Sequence, residues 1–214
     1  AKENVKYHAI ATDGTAYNHP TTWVNLANMS DIGAILNGAQ INQETGILSF
    51  DGTNEYAYFP VNNNLNSQKL TCEVWFAPES LYETGTLFEK GFRNEQYSLL
   101  MQSNKKLLDS ELIWRLNLDG NMTDVIKIRS SEFLKTGWNY AAVVHSPGFQ
   151  LMYVNGKYAG SSDLVGQLPS PPAGLSIAAS GPTSGTDVSR AFYFNGKIGI
   201  VRIYNRVLDL REIH

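Results

Sequence analysis

At 214 residues, with 17% charged and 11% aromatic residues and a formal net charge of −3, the chain has the length of one large β-sandwich or two small domains. It carries no basic block to neutralise a run of phosphates, and no apolar stretch near the ~20 residues of a membrane-spanning helix. Nucleic-acid binding and a membrane span are therefore both set aside. The lone cysteine, Cys72, allows no internal disulfide. Within Leu70-Thr71-Cys72-Glu73-Val74-Trp75-Phe76 it reads as a small buried hydrophobe, since no His or Asn partner for a catalytic thiol is suggested nearby.

Helix signals are almost absent, and short alternating runs separated by turn clusters point to an all-β sandwich or barrel. Residues 1–21 read as an N-terminal arm or linker, or as a strand added from outside the core, and residues 22–214 as one domain. Residues 22–38 form an irregular segment ending in a short strand near 34–36. Residues 46–59 read as strand, turn, strand, with Asp51-Gly52 making the reversal. Asn62-Asn63-Asn64 leads into a strand at 69–77, and further strands are expected at 86–89, 96–102, 112–118 and 125–129.

Residues 130–136 form a loop with one helical turn, followed by a strand at 138–145. The clearest hairpin is 150–154 and 157–161 around Asn155-Gly156. The proline cluster at 169–172 marks a loop, because proline cannot donate to an interior ladder. Strands follow at 174–178 and 192–204, with an exposed, mobile loop at 180–189 between them and a short helical turn from Leu208 to Ile213. The chain is expected to be a piece of something longer. It opens without a signal peptide or initiator Met and stops just as a helical turn begins.

The order of these motifs resembles the laminin G-like, concanavalin A-like family. The resemblance is carried by Trp23…Leu36-Asn37-Gly38, by Phe50-Asp51-Gly52-Thr53-Asn54-Glu55-Tyr56, and by the strand Leu70 to Pro78. Gly137-Trp138 through Tyr153-Val154-Asn155-Gly156-Lys157 and Phe194-Asn195-Gly196-Lys197 through Tyr204 complete it. Together they span residues 22–213. The resemblance implies a two-sheet antiparallel jelly-roll sandwich with at most a short C-terminal helical turn. Where related domains carry an acidic residue near a structural calcium, this chain reads Ile198-Gly199-Ile200. The same architecture hosts lectins, hydrolases and protein-interaction domains, so function has to be argued from a site. The opening motifs are also similar to domains of tailed-phage virion and fibre proteins, which implies a role in decorating or adhering to surfaces.

Glycoside hydrolysis needs two carboxylates across one groove, ~5–5.5 Å apart in retaining enzymes. No Glu-x-Asp-x-x-Glu strand occurs. Glu73 is the one convincing mid-strand carboxylate, and its alternate neighbours are Thr71 and Trp75. Asp109 and Glu111 lie beside Lys105-Lys106 in what reads as a loop. Gly-x-Ser-x-Gly, His-Glu-x-x-His and phosphate-cradling loops are missing, and His8, His19, His145 and His214 lack zinc-ligand spacing.

A binding face is the better candidate. Period-two alternation sends Cys72, Val74 and Phe76 inward and Thr71, Glu73 and Trp75 outward. The same rule sends Leu112, Trp114, Leu116 and Leu118 inward, leaving Ile113, Arg115 and Asn117 outside. If Ala141, Val143 and His145 face out on their strand, then Glu73, Trp75, Arg115, Asn117 and His145 share one concave face. An indole flanked by amide and charged groups suits a sugar, with the ring face on the aromatic and the hydroxyls on the polar groups. The alternative is a charge-compensated surface in which Glu73 and Arg115 pair. Asp51, Asn54 and Glu55 form an oxygen-rich turn that either holds a structural calcium or serves its own backbone. Asn28-Met29-Ser30 and Asn121-Met122-Thr123 fit the glycosylation sequon.

The expected function is a non-catalytic, lectin-like carbohydrate-binding or adhesion domain of a larger extracellular or virion surface protein. Its partners would be a glycan or cell-surface polysaccharide, or other virion or surface proteins. A structural or decoration module and a glycan-cleaving enzyme are the alternatives.

Overall fold

The computed structural model describes residues 5–10, 22–42, 44–91, 95–181 and 191–213. Among the described residues, sixteen strands follow in chain order. The first six are β1 (Val5–Ile10), β2 (Thr22–Val24), β3 (Ile32–Leu36), β4 (Gln40–Ile41), β5 (Leu48–Asp51) and β6 (Tyr56–Phe59). A 3-10 turn at Asn63–Leu65 leads to β7 (Leu70–Pro78), β8 (Gly85–Lys90), β9 (Tyr97–Asn104), β10 (Asp109–Leu118) and β11 (Asn121–Arg129). One helical turn, Ser130–Phe133, precedes β12 (Asn139–Ser146), β13 (Phe149–Val154), β14 (Lys157–Ser162), β15 (Leu175–Ile177) and β16 (Asn195–Tyr204).

Two antiparallel sheets stack as a jelly-roll sandwich, as expected. The first runs β14-β13-β12-β7-β16-β5-β4, with β1 also paired to β16. The second runs β11-β10-β9-β8-β15-β6-β3-β2. β16 is shared along its length, its first half pairing with β5 and its second half with β1. The Val5–Ile10 part of the N-terminal arm thus adds a strand to the first sheet, and the rest of residues 1–21 lies outside the described residues.

The core fills the space between the sheets. From the first sheet come Cys72, Val74, Phe76, Ala141, Val143, Ile198, Val201 and Ile203, all buried. From the second come Phe59, Phe88, Leu99, Leu112, Trp114 and Leu116. Trp114 sits against both Phe88 and Tyr97, with ring centroids 6.4 and 6.0 Å away. Gly160 of β14 lies against Ile126 of β11, so the two sheet edges meet along one side. The Asn155-Gly156 hairpin has both turn residues at positive φ, 51° and 76°, the twist that a two-residue reversal requires.

Three local expectations are corrected. Asp109 and Glu111 belong to β10 rather than a loop, because β10 pairs with β9 down to Asp109 opposite Asn104. The last strand begins at Asn195 instead of residue 192. The strand expected from Trp138 begins at Asn139 and leaves the indole half outside the sheet, 39% exposed. Most of the loop expected at 180–189 lies outside the described residues, although Ser180 donates its N–H to Ala191.

Trp114→Ala should test the core directly. Removing a fully buried indole between two rings should lower unfolding stability by about 3–5 kcal/mol, read as a shifted urea midpoint with an unchanged slope.

Candidate functional site

β7 organises the outer face of the first sheet. Its register places Trp75 opposite Tyr140 and Glu73 opposite Ala142 on β12. On its other side Trp75 faces Ile200, Glu73 faces Arg202 and Thr71 faces Tyr204 of β16. β16 reaches this register through a bulge at Gly199, so that Ile198 and then Val201 both point into the core. Without that extra residue Arg202 and Tyr204 would fall on the inner side.

The Glu73 carboxylate is only 1% exposed. A buried carboxylate needs donors, and it has them. The Tyr140 hydroxyl donates to Oε1 at 2.5 Å, the Tyr204 hydroxyl donates to Oε2 at 3.1 Å, and Arg202 lies 3.7 Å from Oε2. Burial and the adjacent Glu73 push the Tyr204 phenol up to about 12, so it stays a donor. Trp75 is half-buried, packed on Tyr140 with centroids 4.3 Å apart and with Arg202 5.2 Å from its own centroid. The network locks three strands together and leaves Glu73 no access to a reacting ligand.

Beside this network the same sheet carries a groove of about 490 Å³. Its wall on β13 is Leu151 and Tyr153, and its other wall is the C-terminal turn: Leu208, Asp209, Leu210, Arg211 and Ile213. Tyr153 faces Ala142, a small residue between it and Glu73, and meets the exposed Tyr158 of β14 edge-on at 6.0 Å. The turn is anchored rather than loose. Thr71 Oγ1 donates to the Arg206 carbonyl and accepts the Leu208 N–H, both at 3.0 Å. Arg206 clasps both Glu212 oxygens at 2.6 and 2.7 Å and holds that carboxyl down to about 2. Asp209 and Arg211 are exposed on the turn that this clasp shapes.

The five residues expected on one face are therefore divided. Glu73 and Trp75 share the outer face of the first sheet. Arg115 and Asn117 lie on the outer face of the second, across the core. There Arg115 pairs with Asp124 instead of Glu73, and Lys127 joins the same carboxylate at 2.7 Å. His145 faces Leu70 in the β12–β7 register, on the core side with Cys72 and Val74, and is fully buried. Both faces of β12 are apolar and buried, so its alternation carried no signal for which set points out. The groove residues Tyr153, Asp209 and Arg211 were missed because β13 and the C-terminal turn come together only in three dimensions. The alternation Val201-Arg202-Ile203-Tyr204 was a readable clue to the outward pair.

In the Asp51, Asn54 and Glu55 turn the carboxylates serve the turn's own backbone. Asp51 Oδ1 accepts the N–H groups of Thr53 and Asn54, and Glu55 Oε2 accepts that of Asp51. One oxygen of each carboxylate is thus engaged by backbone N–H groups, as in an ordinary Asx-type turn. Among the described residues, no group of three or more His, Cys, Asp or Glu side chains gathers for a metal. Calcium or a chelator should leave the melting temperature unchanged, read by scanning fluorimetry.

A model of the concanavalin A-like lectin/glucanases superfamily matches residues 51–214. Among solved structures, the botulinum neurotoxin serotype D binding domain superposes with a TM-score of 0.69 at 13% identity, over 99% of this chain and 51% of that one. The binding domain of botulinum neurotoxin DC, solved in complex with SialylT, gives 0.70 at 13%, over 100% of this chain and 50% of that one. Domain 4 of AbnA, a GH43 extracellular arabinanase from Geobacillus stearothermophilus solved with arabinotriose, gives 0.69 at 16%, over 98% and 96%. The chain thus spans about half the length of the toxin domains and nearly all of the arabinanase domain. At these identities the likeness is one of fold. Curated protein sequences give no match.

His145 offers a pH test of its placement. Desolvation pushes its imidazole down to about 4, against about 6.5 when unfolded. As pH falls below about 6.5 the unfolded chain takes up a proton that the folded chain refuses until about pH 4, so stability is lost across that window and held above it. Glu83 runs the other way: burial and Glu79 push it up to about 7, and its contribution fades as pH rises through that value. Comparing His145→Gln with the wild type isolates the first effect. The gap between their melting temperatures should change between about pH 7 and pH 4.5.

Proposed function

The chain belongs to the concanavalin A-like lectin/glucanase superfamily, and from that premise we propose that it is a non-catalytic, lectin-like module that binds saccharides in the groove between β13 and the C-terminal turn. One observation carries the reading: a single recess joins an aromatic plate, Tyr153 with Tyr158 against its edge, to a carboxylate and a guanidinium on an anchored turn. A pyranose or furanose presents an apolar face to the tyrosine ring and its hydroxyls to Asp209 and Arg211. Apolar walls from Leu151, Leu208, Leu210 and Ile213 exclude water from the ring face.

Glu73 and Trp75 keep a part in this reading as the floor beside the groove. Glu73 positions Tyr140 and Tyr204, and the half-buried indole extends the aromatic surface. The saccharides in the arabinanase-domain and toxin-domain complexes support the ligand class. Turnover is not part of the proposal, because Glu73 is buried and committed to tyrosine hydroxyls, with no second carboxylate beside it on β7. The setting proposed is an extracellular or virion surface, where the module serves a larger adhesion or structural protein.

The test is a glycan array of neutral and acidic oligosaccharides probed with wild type, Tyr153→Ala, Asp209→Asn and Arg115→Ala. Tyr153→Ala should weaken binding by about tenfold or more, Asp209→Asn should weaken it too, and Arg115→Ala should match wild type. A folded wild-type chain that binds no glycan would overturn the proposal in favour of an assembly module.

A further inference from the structure

A second recess, of about 380 Å³, lies at the opposite end of the strands from the C-terminal turn. β16 runs antiparallel to β7, with Gly196 facing Pro78 and Tyr204 facing Thr71. The C-terminal turn therefore leaves beside the start of β7, while the β7–β8 loop, residues 79–84, leaves from its far end. That loop lines the recess with Ser80, Leu81 and Tyr82; the β9–β10 turn contributes Leu107 and Leu108, and the end of β11 contributes Arg129.

The recess is fixed in shape by bonds within its lining, which includes Asp109 and Ser131, and between the β7–β8 loop and the strands beside it. Ser110 Oγ accepts the Glu83 N–H at 2.8 Å and donates to the Glu83 carbonyl at 2.9 Å, and Thr84 Oγ1 pairs with Ser103 Oγ at 2.9 Å. The loop is thereby pinned to β9 and β10. Asp109, 9% exposed, accepts the Ser131 hydroxyl at 2.5 Å and the N–H groups of Ser110 and Ser131. Its carboxylate is spent on the wall.

What remains for a ligand is rich in donors. Arg129 is over half exposed, and its contact with Glu132 is 3.7 Å between two exposed side chains, an arrangement worth little in water. Ser80 Oγ accepts the Tyr82 N–H and retains its own proton to donate. Tyr82 is 46% exposed and Leu108 84% exposed, and Leu108 holds its bulky side chain out at a φ of +49°. Lys105 and Lys106 are exposed in the same turn and stand against Glu79, Glu132 and the lining carboxylate of Asp109, which also feels the Arg129 charge.

We propose that this recess is a second saccharide site, selective for sugars bearing a carboxylate. The carboxylate meets the Arg129 guanidinium, the sugar ring lies on Tyr82, and a hydroxyl accepts from Ser80. The proposal rests on the preceding reading for the class of ligand alone, since the two recesses share no residue. Two sites at opposite strand ends would let one module bridge a polysaccharide, gaining avidity without further contacts.

Titration calorimetry with trigalacturonic acid and sialyllactose as acidic probes and arabinotriose as a neutral one tests this. At least one acidic probe should bind, more weakly as salt rises. Arg129→Gln and Tyr82→Ala should each weaken it by about tenfold or more, whereas Tyr153→Ala should leave it in place. Both changed side chains are exposed, so melting temperatures should match wild type; should either variant fail to fold, the other carries the test. No binding of either acidic probe, or unchanged binding in both variants, overturns the second site. Arabinotriose binding that is lost in Tyr153→Ala and kept in Arg129→Gln, with no binding of either acidic probe, would overturn the second site and leave the first groove standing by itself.

Discussion

The structure depends on one constraint: the outer face of β7 carries a buried carboxylate, Glu73. The inner side chains of β7, Cys72, Val74 and Phe76, belong to the core, while Glu73 sits on the outer face with 1% of its surface in contact with water. An unpaired carboxylate there would be costly, and the strands on either side supply the remedy. Tyr140 comes from β12, Tyr204 and Arg202 from β16, and each reaches Glu73 only in the observed registers. A slip of one residue in either pairing would turn these donors inward and strand the charge. The network is best understood as specifying register, since hydrogen-bonded buried carboxylates stabilise little in net terms.

The outer face of the first sheet follows from that register. With β12 fixed, Tyr153 of β13 faces the small Ala142, and the face is low between the Tyr153 ring and Glu73. With β16 fixed, Thr71 stands where its hydroxyl can catch the chain at Arg206 and Leu208. The C-terminal turn is thus laid along the sheet as the second wall of a groove. Rigid strands supply the platform and an anchored turn supplies the charged groups, a division that keeps geometry and chemistry on separate elements.

The shared fold of the superfamily accounts for this platform and leaves its ligands open. Toxin and arabinanase domains superpose on nearly the whole chain while keeping 13–16% of its residues. The contents of the two recesses differ in kind: the sheet groove offers one carboxylate and one guanidinium over apolar walls, whereas the loop recess offers donors around an exposed tyrosine. Each recess is held open by hydrogen bonds spent within the protein, at Thr71 and Arg206 in one case and at Ser110 and Asp109 in the other.

The sequence by itself determined the all-β class, most strand positions, the Asn155-Gly156 hairpin and the inward sets of β7 and β10. Those features are written in local alternation and turn chemistry, where one face is apolar and the other is not. Only the tertiary structure decided the site. β12 is apolar on both faces, so the side on which His145 falls was fixed by pairing with β7 and by nothing within β12 itself. Arg115 and Asn117 point outward as their strand pattern says, but sheet order puts their outside on the far side of the core from Glu73. The grooves join segments far apart in the chain, Tyr153 with Asp209 and Tyr82 with Arg129. Periodicity reports which way a side chain points within its own strand; which strands share a face is set by long-range pairing, and that is a property of the folded chain.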